Sequence, residues 1–115
     1  MCDALLGAVA LGDIGQHFPD TDPRFAGASS IALLAQVGDM VSAAGLRLTS
    51  IDIVVATEAP KIAPLAATMK ESLAQALRVS PTCISLKGKT AEGLGAVGRK
   101  EGMACWAVCL LAPAE

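Results

Sequence analysis

A nearly continuous run of apolar and β-branched residues between Leu46 and Thr57 constrains the fold more than any other stretch of the sequence. Its second half is Ile-Asp-Ile-Val-Val-Ala, a composition typical of a strand. Spacing and breaker residues predict the other elements: a helix ending at Leu11, a loop from Gly12 to Ala28, helices over about 29–44 and 64–77, strands over 82–87 and 102–111, and a glycine-rich loop over 90–101. This order indicates an α/β fold, an α+β two-layer sandwich with helices on one face of a mixed sheet.

The composition places the whole chain, residues 1–115, in one small domain with an aliphatic core. Hydrophobic residues make up 53% of the chain and the mean hydropathy is +0.54, whereas the aromatic residues are only Phe18, Phe25 and Trp106. A short chain this apolar is expected to cover part of its surface in a subunit interface. Trp106 is therefore predicted to pack in the core or in such an interface.

Charge and cysteine content exclude several classes of function. The formal net charge is −2 and the pI about 5.3, without a basic stripe, so nucleic acid is not an expected partner. No apolar run reaches the ~20 residues that a membrane-spanning helix needs, and no basic leader indicates a secretion signal. The four cysteines lack Cys-x-x-Cys spacing, which predicts reduced, buried, cytosolic thiols and argues against a cysteine zinc site; they are Cys2, Cys83, Cys105 and Cys109.

The segment from Gly12 to Asp22 concentrates three carboxylates and the only histidine, His17, in eleven residues. Its glycines and Pro19 argue against a regular helix or strand, so the segment is predicted to be an ordered, charged loop, where binding groups tend to lie. The alternative is a solvated loop whose aspartates cap turns. In particular, Asp20 and Asp22 could accept hydrogen bonds from ligand hydroxyls or cap the turn before Pro23. His17 is interpreted as a surface or hydrogen-bonded residue rather than a metal ligand.

A second charged cluster lies where a predicted strand gives way to the glycine-rich loop. It consists of Lys87, Lys89, Thr90, Glu92 and Arg99. Exposed glycine backbone and cations suit phosphate oxygens, and a carboxylate suits such a site if a divalent cation lies between the two. The alternative is a charged surface strand followed by a flexible loop. Pro60-Lys61, at the end of the long strand, could likewise neutralise an anion or simply be solvated.

Three motifs, in order, resemble one known family. They are the run Asp3–Phe25 (DALLGAVALGDIGQHFPDTDPRF), the tripeptide Ala59-Pro60-Lys61, and the run Lys87–Arg99 (KGKTAEGLGAVGR). The chain is similar along its whole length to 2-C-methyl-D-erythritol 2,4-cyclodiphosphate synthases of the non-mevalonate isoprenoid pathway. The resemblance implies a homotrimer with active sites between subunits. It also implies conversion of 4-diphosphocytidyl-2-C-methyl-D-erythritol 2-phosphate to the cyclic diphosphate plus CMP.

The resemblance also implies roles for individual residues. Substrate contacts in the first loop fall on Asp13, Ile14 and Gly15, and the erythritol end falls on Phe18, Pro19, Asp20, Thr21 and Asp22. A cytosine pocket, formed largely by backbone groups, falls on Thr57, Glu58, Ala59, Pro60, Lys61, Ile62 and Ala63. The diphosphate cradle falls on Lys89, Thr90, Ala91 and Glu92, with further substrate contacts at Ala96 and Arg99. Thr90 and Glu92 would be catalytic: Thr90 would orient the β-phosphate, and Glu92 would hold Mg²⁺ (or Mn²⁺).

The family's zinc site does not map onto this sequence. Its Asp-x-His and helix histidine would fall before Met1, and His17 does not match a ligand position. We therefore expect a chain without the N-terminal hairpin, with an open sheet edge, that binds a cytidine nucleotide weakly and is inactive or nearly so by itself. The alternative is a non-catalytic, zinc-free relative that binds cytidine nucleotides or forms trimers. The resemblance implies a cytoplasmic location, or the plastid stroma if the source is a eukaryote.

Overall fold

The sheet is built around strand β1 (Leu46–Ala56), which lies between β2 (Ile84–Lys89) and β3 (Ala104–Pro113) in this computed structural model. β2 pairs with β1 in parallel and β3 pairs with it antiparallel, so the predicted mixed sheet is confirmed. The structure describes residues 1–25 and 27–114. Ala26, within the predicted loop, and Glu115, at the end of the predicted domain, lie outside the described residues.

Helices cover one face of this sheet. Their bounds are Cys2–Ala8 (α1), Ile14–His17 (α2), Ser30–Ala43 (α3), Ala66–Leu77 (α4) and Gly95–Gly98 (α5). α1 packs against β3, α3 against β1 and α4 against β2, which gives the predicted two-layer arrangement. Within the described ranges, none of these helices has the length and apolar character needed to cross a bilayer.

The core between the two layers is aliphatic, as predicted. Leu6 of α1 and Val37 of α3 are completely buried, and Ile51, Ile53 and Val55 of β1 face them from the sheet. Alternation along β1 explains this placement, because every second side chain of a strand points to the same face. Phe18 is the one aromatic side chain among the described residues that is buried in this core.

The structure corrects both loop predictions near the charged segments. The first helix ends at Ala8 rather than Leu11, because the chain turns through a left-handed Ala10 (φ 59°). The segment predicted as an irregular loop contains α2, a single turn that begins where the Asp13 carboxylate accepts a hydrogen bond from the Gln16 amide at 2.9 Å. The predicted glycine-rich loop likewise contains the short helix α5.

Other boundaries shift by one or two residues. A 3-10 turn at Pro81–Cys83 delays the start of β2 to Ile84, and another at Ala63–Leu65 precedes α4. β3 is also displaced, to Ala104–Pro113 from the predicted 102–111. Such turns are common at element ends and are not visible in hydrophobic periodicity.

The predicted burial of the cysteines is wrong, and Trp106 does not pack in the core of the single chain; its alternative place in a subunit interface stays a prediction. Trp106 is 60% exposed, because it lies with Val108 and Leu110 on the sheet face that no helix covers. The four cysteines are free thiols, as predicted, but none of them is buried and Cys105 is exposed. Partial burial still raises the pKa of the Cys2 and Cys109 thiols above the usual value.

We expect Leu6→Ala to lower the free energy of unfolding by about 2–5 kcal/mol, because it removes a fully buried side chain and leaves a cavity. The matched substitution Leu94→Ala, at a side chain that is 74% exposed, should change it by less than about 0.5 kcal/mol. Urea unfolding followed by circular dichroism measures both. Equal effects of the two substitutions would contradict the packing described for α1.

Candidate functional site

Two of the predicted site segments begin side by side at one edge of the sheet. In the parallel pair of β1 and β2, Ala56 lies opposite Lys89, and the Thr57 amide donates a hydrogen bond to the Lys89 carbonyl oxygen at 2.9 Å. The turn Thr57–Ala63 and the loop that follows Lys89 therefore leave the sheet together. Ligands commonly bind at the carboxyl ends of parallel strands, where the loops converge.

A cleft of about 240 Å³ separates these two segments. It is lined by Thr57, Glu58, Pro60, Lys61, Ile62, Ala63, Gly88, Lys89 and Thr90. Most of these are residues that the sequence analysis assigned to a cytosine pocket and a diphosphate cradle. The structure thus brings most of the turn and the first two residues of the predicted cradle, Lys89 and Thr90, to one cleft, whereas Ala59, Ala91 and Glu92 do not line it.

Thr57 and Gly88 shape the floor of the cleft. Thr57 is buried, and its hydroxyl donates a hydrogen bond to the Ala59 carbonyl oxygen at 2.7 Å, which closes the turn after β1. Gly88 is packed so closely that a Cβ there would lie 2.6 Å from the Cβ of Ile62. Sequence reasoning missed Gly88, although a glycine at an inward position of a strand often marks a close approach.

The loop after β2 is tightly folded around its glycines. Glu92 has a left-handed backbone (φ 55°), and its amide donates to the Thr90 hydroxyl at 3.3 Å. A Cβ at Gly98 would overlap the carbonyl group of Gly93, so α5 packs directly on the loop backbone. The amide of Ala91 donates to the Glu58 carboxylate at 2.7 Å, which links this loop to the turn across the cleft.

Lys61 and the basic side chains of the second charged cluster have different surroundings. Lys61 and Lys89 line the cleft. Lys87 instead pairs with Asp52 on the outer face of the sheet at 3.0 Å, and this hydrogen bond lowers the pKa of Asp52. Arg99 pairs with Glu101 at 2.9 Å, and neither Arg99 nor Ala96 lines the cleft.

The aspartate segment makes contacts that resemble turn capping. Asp13 caps α2, and Asp22 accepts hydrogen bonds from the backbone and the guanidinium of Arg24, the shortest at 2.8 Å. The side-chain hydrogen bond from Arg24 lowers the pKa of Asp22. Asp20 and Thr21 are exposed. In the single chain, Asp13 and Asp22 therefore act as turn-capping residues, which is the alternative to a ligand-binding role.

The rest of this segment is held against the body of the chain. Phe18 is buried and meets Phe25 edge to face, with 5.2 Å between ring centroids. The Ile14 amide donates to Asp3 at 2.8 Å, and the His17 ring lies 2.6 Å from the Leu11 carbonyl oxygen, in keeping with the hydrogen-bonded interpretation of His17. No residue of the segment 13–22 lines the 240 Å³ cleft, so the structure does not bring the erythritol-end residues to it within one chain.

Two further features lie outside the cleft. Among residues 1–25 and 27–114, no three His, Cys, Asp or Glu side chains are close enough to hold a metal ion together. A second cavity, of about 150 Å³, lies between the ends of α3 and α4 and the start of β1, and shares no lining residue with the cleft.

Comparison with known proteins assigns the family. The YgbB family matches residues 1–112. A bifunctional enzyme IspD/IspF from an Anaeromyxobacter species is 52% identical over 109 residues, which are 95% of this chain and 28% of that protein. A 2-C-methyl-D-erythritol 2,4-cyclodiphosphate synthase from Methylococcus capsulatus is 47% identical over 112 residues, which are 97% of this chain and 71% of that protein.

A solved structure agrees with these sequence relationships. The CDP complex of IspF from Plasmodium falciparum superposes with a TM-score of 0.87 at 30% identity, over 99% of this chain and 68% of that one. These three matches cover 95–99% of this chain. The chain therefore belongs to the YgbB family, together with the 2-C-methyl-D-erythritol 2,4-cyclodiphosphate synthases that it matches.

Proposed function

We propose that this chain is a cyclodiphosphate synthase polypeptide, of the kind that converts 4-diphosphocytidyl-2-C-methyl-D-erythritol 2-phosphate to the cyclic diphosphate and CMP, with impaired turnover by itself. One observation carries the proposal: the turn after β1 and the loop after β2 form one cleft with two lysines and Thr90 on its walls. The family to which the chain belongs, and the CDP bound to the P. falciparum relative, support a cytidine nucleotide as the ligand.

The chemistry that this cleft would serve is the joining of two anions. The substrate's 2-phosphate attacks the β-phosphorus of the CDP group, a P–O bond forms there, and CMP leaves. Because both reacting groups are negatively charged, catalysis requires cations and fixed donors that hold them in line. Lys61 and Lys89 would neutralise the phosphates, and the Thr90 hydroxyl would orient the β-phosphate. Backbone groups of the turn Thr57–Ala63 would hold the cytosine.

Glu92 fits a magnesium site shared with substrate. Mg²⁺ is commonly held by one or two carboxylates together with substrate phosphates, and Glu92 is an exposed carboxylate two residues beyond Thr90. A bound Mg²⁺ (or Mn²⁺) would supply charge neutralisation between the phosphates. Zinc does not fit the described residues, because its sites use at least three protein ligands and no such group is present among them. We assign no step to zinc.

Assembly as a homotrimer would complete the cleft. Trp106, Val108 and Leu110 form an apolar patch on the uncovered sheet face, which suits burial between subunits. In a trimer with sites between subunits, the segment 13–22 of one copy would supply the erythritol end of a neighbour's cleft. Arg99 and Ala96 would reach substrate in the same assembled site. The compartment implied is the cytoplasm, or the plastid stroma of a eukaryote.

A cytidine-nucleotide-binding protein without turnover is the second candidate. The absence of a three-ligand metal group among the described residues favours it. The two candidates differ in one measurement: CDP binding with CMP release supports the enzyme, and CDP binding without CMP release, when Mg²⁺ and Zn²⁺ are both supplied, supports the binding protein.

Where the wild-type chain releases CMP, we expect Thr90→Ala and Glu92→Gln each to lower that rate by about 100-fold or more, since each removes a group to which we assign a contact with the phosphates or their Mg²⁺. The assay measures CMP release with Mg²⁺ and Zn²⁺ added. Glu71→Gln, an exposed carboxylate on α4, is the control and should leave the rate unchanged. Turnover that survives either site substitution would refute the assigned roles.

We expect Gly88→Ala to weaken CDP binding by about tenfold, because the new Cβ must displace Ile62 and with it the nucleotide turn. Gly102→Ala provides the control, since a Cβ there meets nothing within 4 Å. Isothermal titration with CDP compares the two variants. Unchanged affinity in Gly88→Ala would place the nucleotide elsewhere.

We expect Val108→Glu to shift the chain from trimer towards monomer, because it introduces a charge into the apolar patch. Leu94→Glu is the matched control: the two side chains are 75% and 74% exposed, but Leu94 lies outside the patch. Analytical ultracentrifugation reports the mass of each. A trimer that tolerates Val108→Glu would show that the patch is not the interface.

A further inference from the structure

The Glu58 carboxylate spans the cleft in a way that its predicted role does not require. Its Oε1 accepts a hydrogen bond from the Ala91 amide at 2.7 Å, between residues 33 apart in the chain. The backbone ladder between the two strands ends with the bond from the Thr57 amide to the Lys89 carbonyl oxygen. One residue beyond Thr57, in the turn after β1, the side chain of Glu58 takes over the cross-link to the loop after β2.

A carboxylate in this position is electrostatically unexpected if it serves only to contact the ligand. A cleft that binds phosphates gains from cations, and a negative charge on its wall opposes an anionic ligand. Glu58 is partly buried, and its bond to a backbone amide is of the charge-assisted kind, which is shorter and stronger than a neutral one. The contact thus explains why the carboxylate lies there.

The amide that Glu58 holds lies between two residues of the proposed catalytic loop. Ala91 follows Thr90 and precedes Glu92, whose backbone is left-handed (φ 55°). A non-glycine residue keeps that conformation only when its surroundings fix it. Because Ala91 is held by Glu58, the peptide planes on either side of it are restrained, and so are the directions in which the Cα–Cβ bonds of Thr90 and Glu92 leave the backbone.

We propose that Glu58 is a positioning residue that couples the nucleotide turn to the phosphate and metal loop through the Ala91 amide. The inference rests on the proposed function, because it assumes that Thr90 and Glu92 act on a diphosphate and its Mg²⁺. Glu58 touches no reacting atom in this role. An occupied nucleotide turn would keep Glu58 in place and thereby pre-organise the loop for the metal-bound diphosphate.

The test compares Glu58→Ala, which removes the acceptor, with Glu58→Gln, which keeps an oxygen at the same position but removes the charge. Amide hydrogen exchange by NMR is measured at Ala91 in the free chain. We expect exchange about tenfold faster or more in Glu58→Ala and close to wild type in Glu58→Gln. Glu71→Ala on α4 is the matched control and should leave Ala91 unchanged.

Ligand titrations then separate positioning from direct contact. In the wild-type chain, Mg²⁺ should strengthen CDP binding. Glu58→Ala should lose most of that Mg²⁺-dependent gain in CDP affinity, and Glu58→Gln should keep it. A Glu58→Ala variant that keeps the full gain would overturn the proposal, because the loop would then bind the metal-bound diphosphate without its contact to Glu58.

Two other results of these experiments would also count against the proposal. Unchanged Ala91 exchange in Glu58→Ala, or a Glu58→Gln variant that behaves like Glu58→Ala, would overturn the proposal. A wild-type chain that binds no CDP would defeat the proposed function instead, and the exchange experiment would still decide whether Glu58 holds Ala91.

Discussion

The parallel pairing of β1 with β2 is the constraint on which the site depends. Parallel strands end at the same edge of a sheet, so the segments that follow Ala56 and Lys89 must leave it together. An antiparallel arrangement of the same two strands would place the Ala-Pro-Lys turn and the Lys-Thr-Ala-Glu loop at opposite edges. The helix α4, between the strands in sequence, makes the parallel crossover possible and covers the sheet beneath the cleft.

Hydrophobic periodicity predicted the architecture because the core elements are strongly patterned. The long strand, the helices α3 and α4 and the mixed sheet all follow from alternation and helical spacing. Local hydrogen bonds determined the short helical turns and element boundaries that the hydrophobic pattern did not predict. The Asp13 cap created a helical turn where glycines and a proline predicted none, and Pro81 began a 3-10 turn that moved β2 along the chain.

The site could be predicted only in part, for a physical reason. The turn after β1 and the loop after β2 were predicted as subsites from the family resemblance. The structure adds that the parallel pairing of the two strands brings both segments to one cleft. The roles that we propose for Trp106 and the segment 13–22 involve the surface of a neighbouring copy, which a single chain does not contain. A sequence gives the polarity of such residues, but the exposure of Trp106 and the hydrogen bond between Glu58 and Ala91 appear only once the backbone path is known.

The left-handed backbone conformation of Glu92 is unfavourable for a residue that carries a side chain. Glycine adopts this conformation without steric cost, whereas any residue with a Cβ is disfavoured there. Selection for conformational stability alone would favour glycine at this position. A side chain here therefore lowers the stability of the folded loop relative to glycine, which leaves room to stabilise the chain at this one residue.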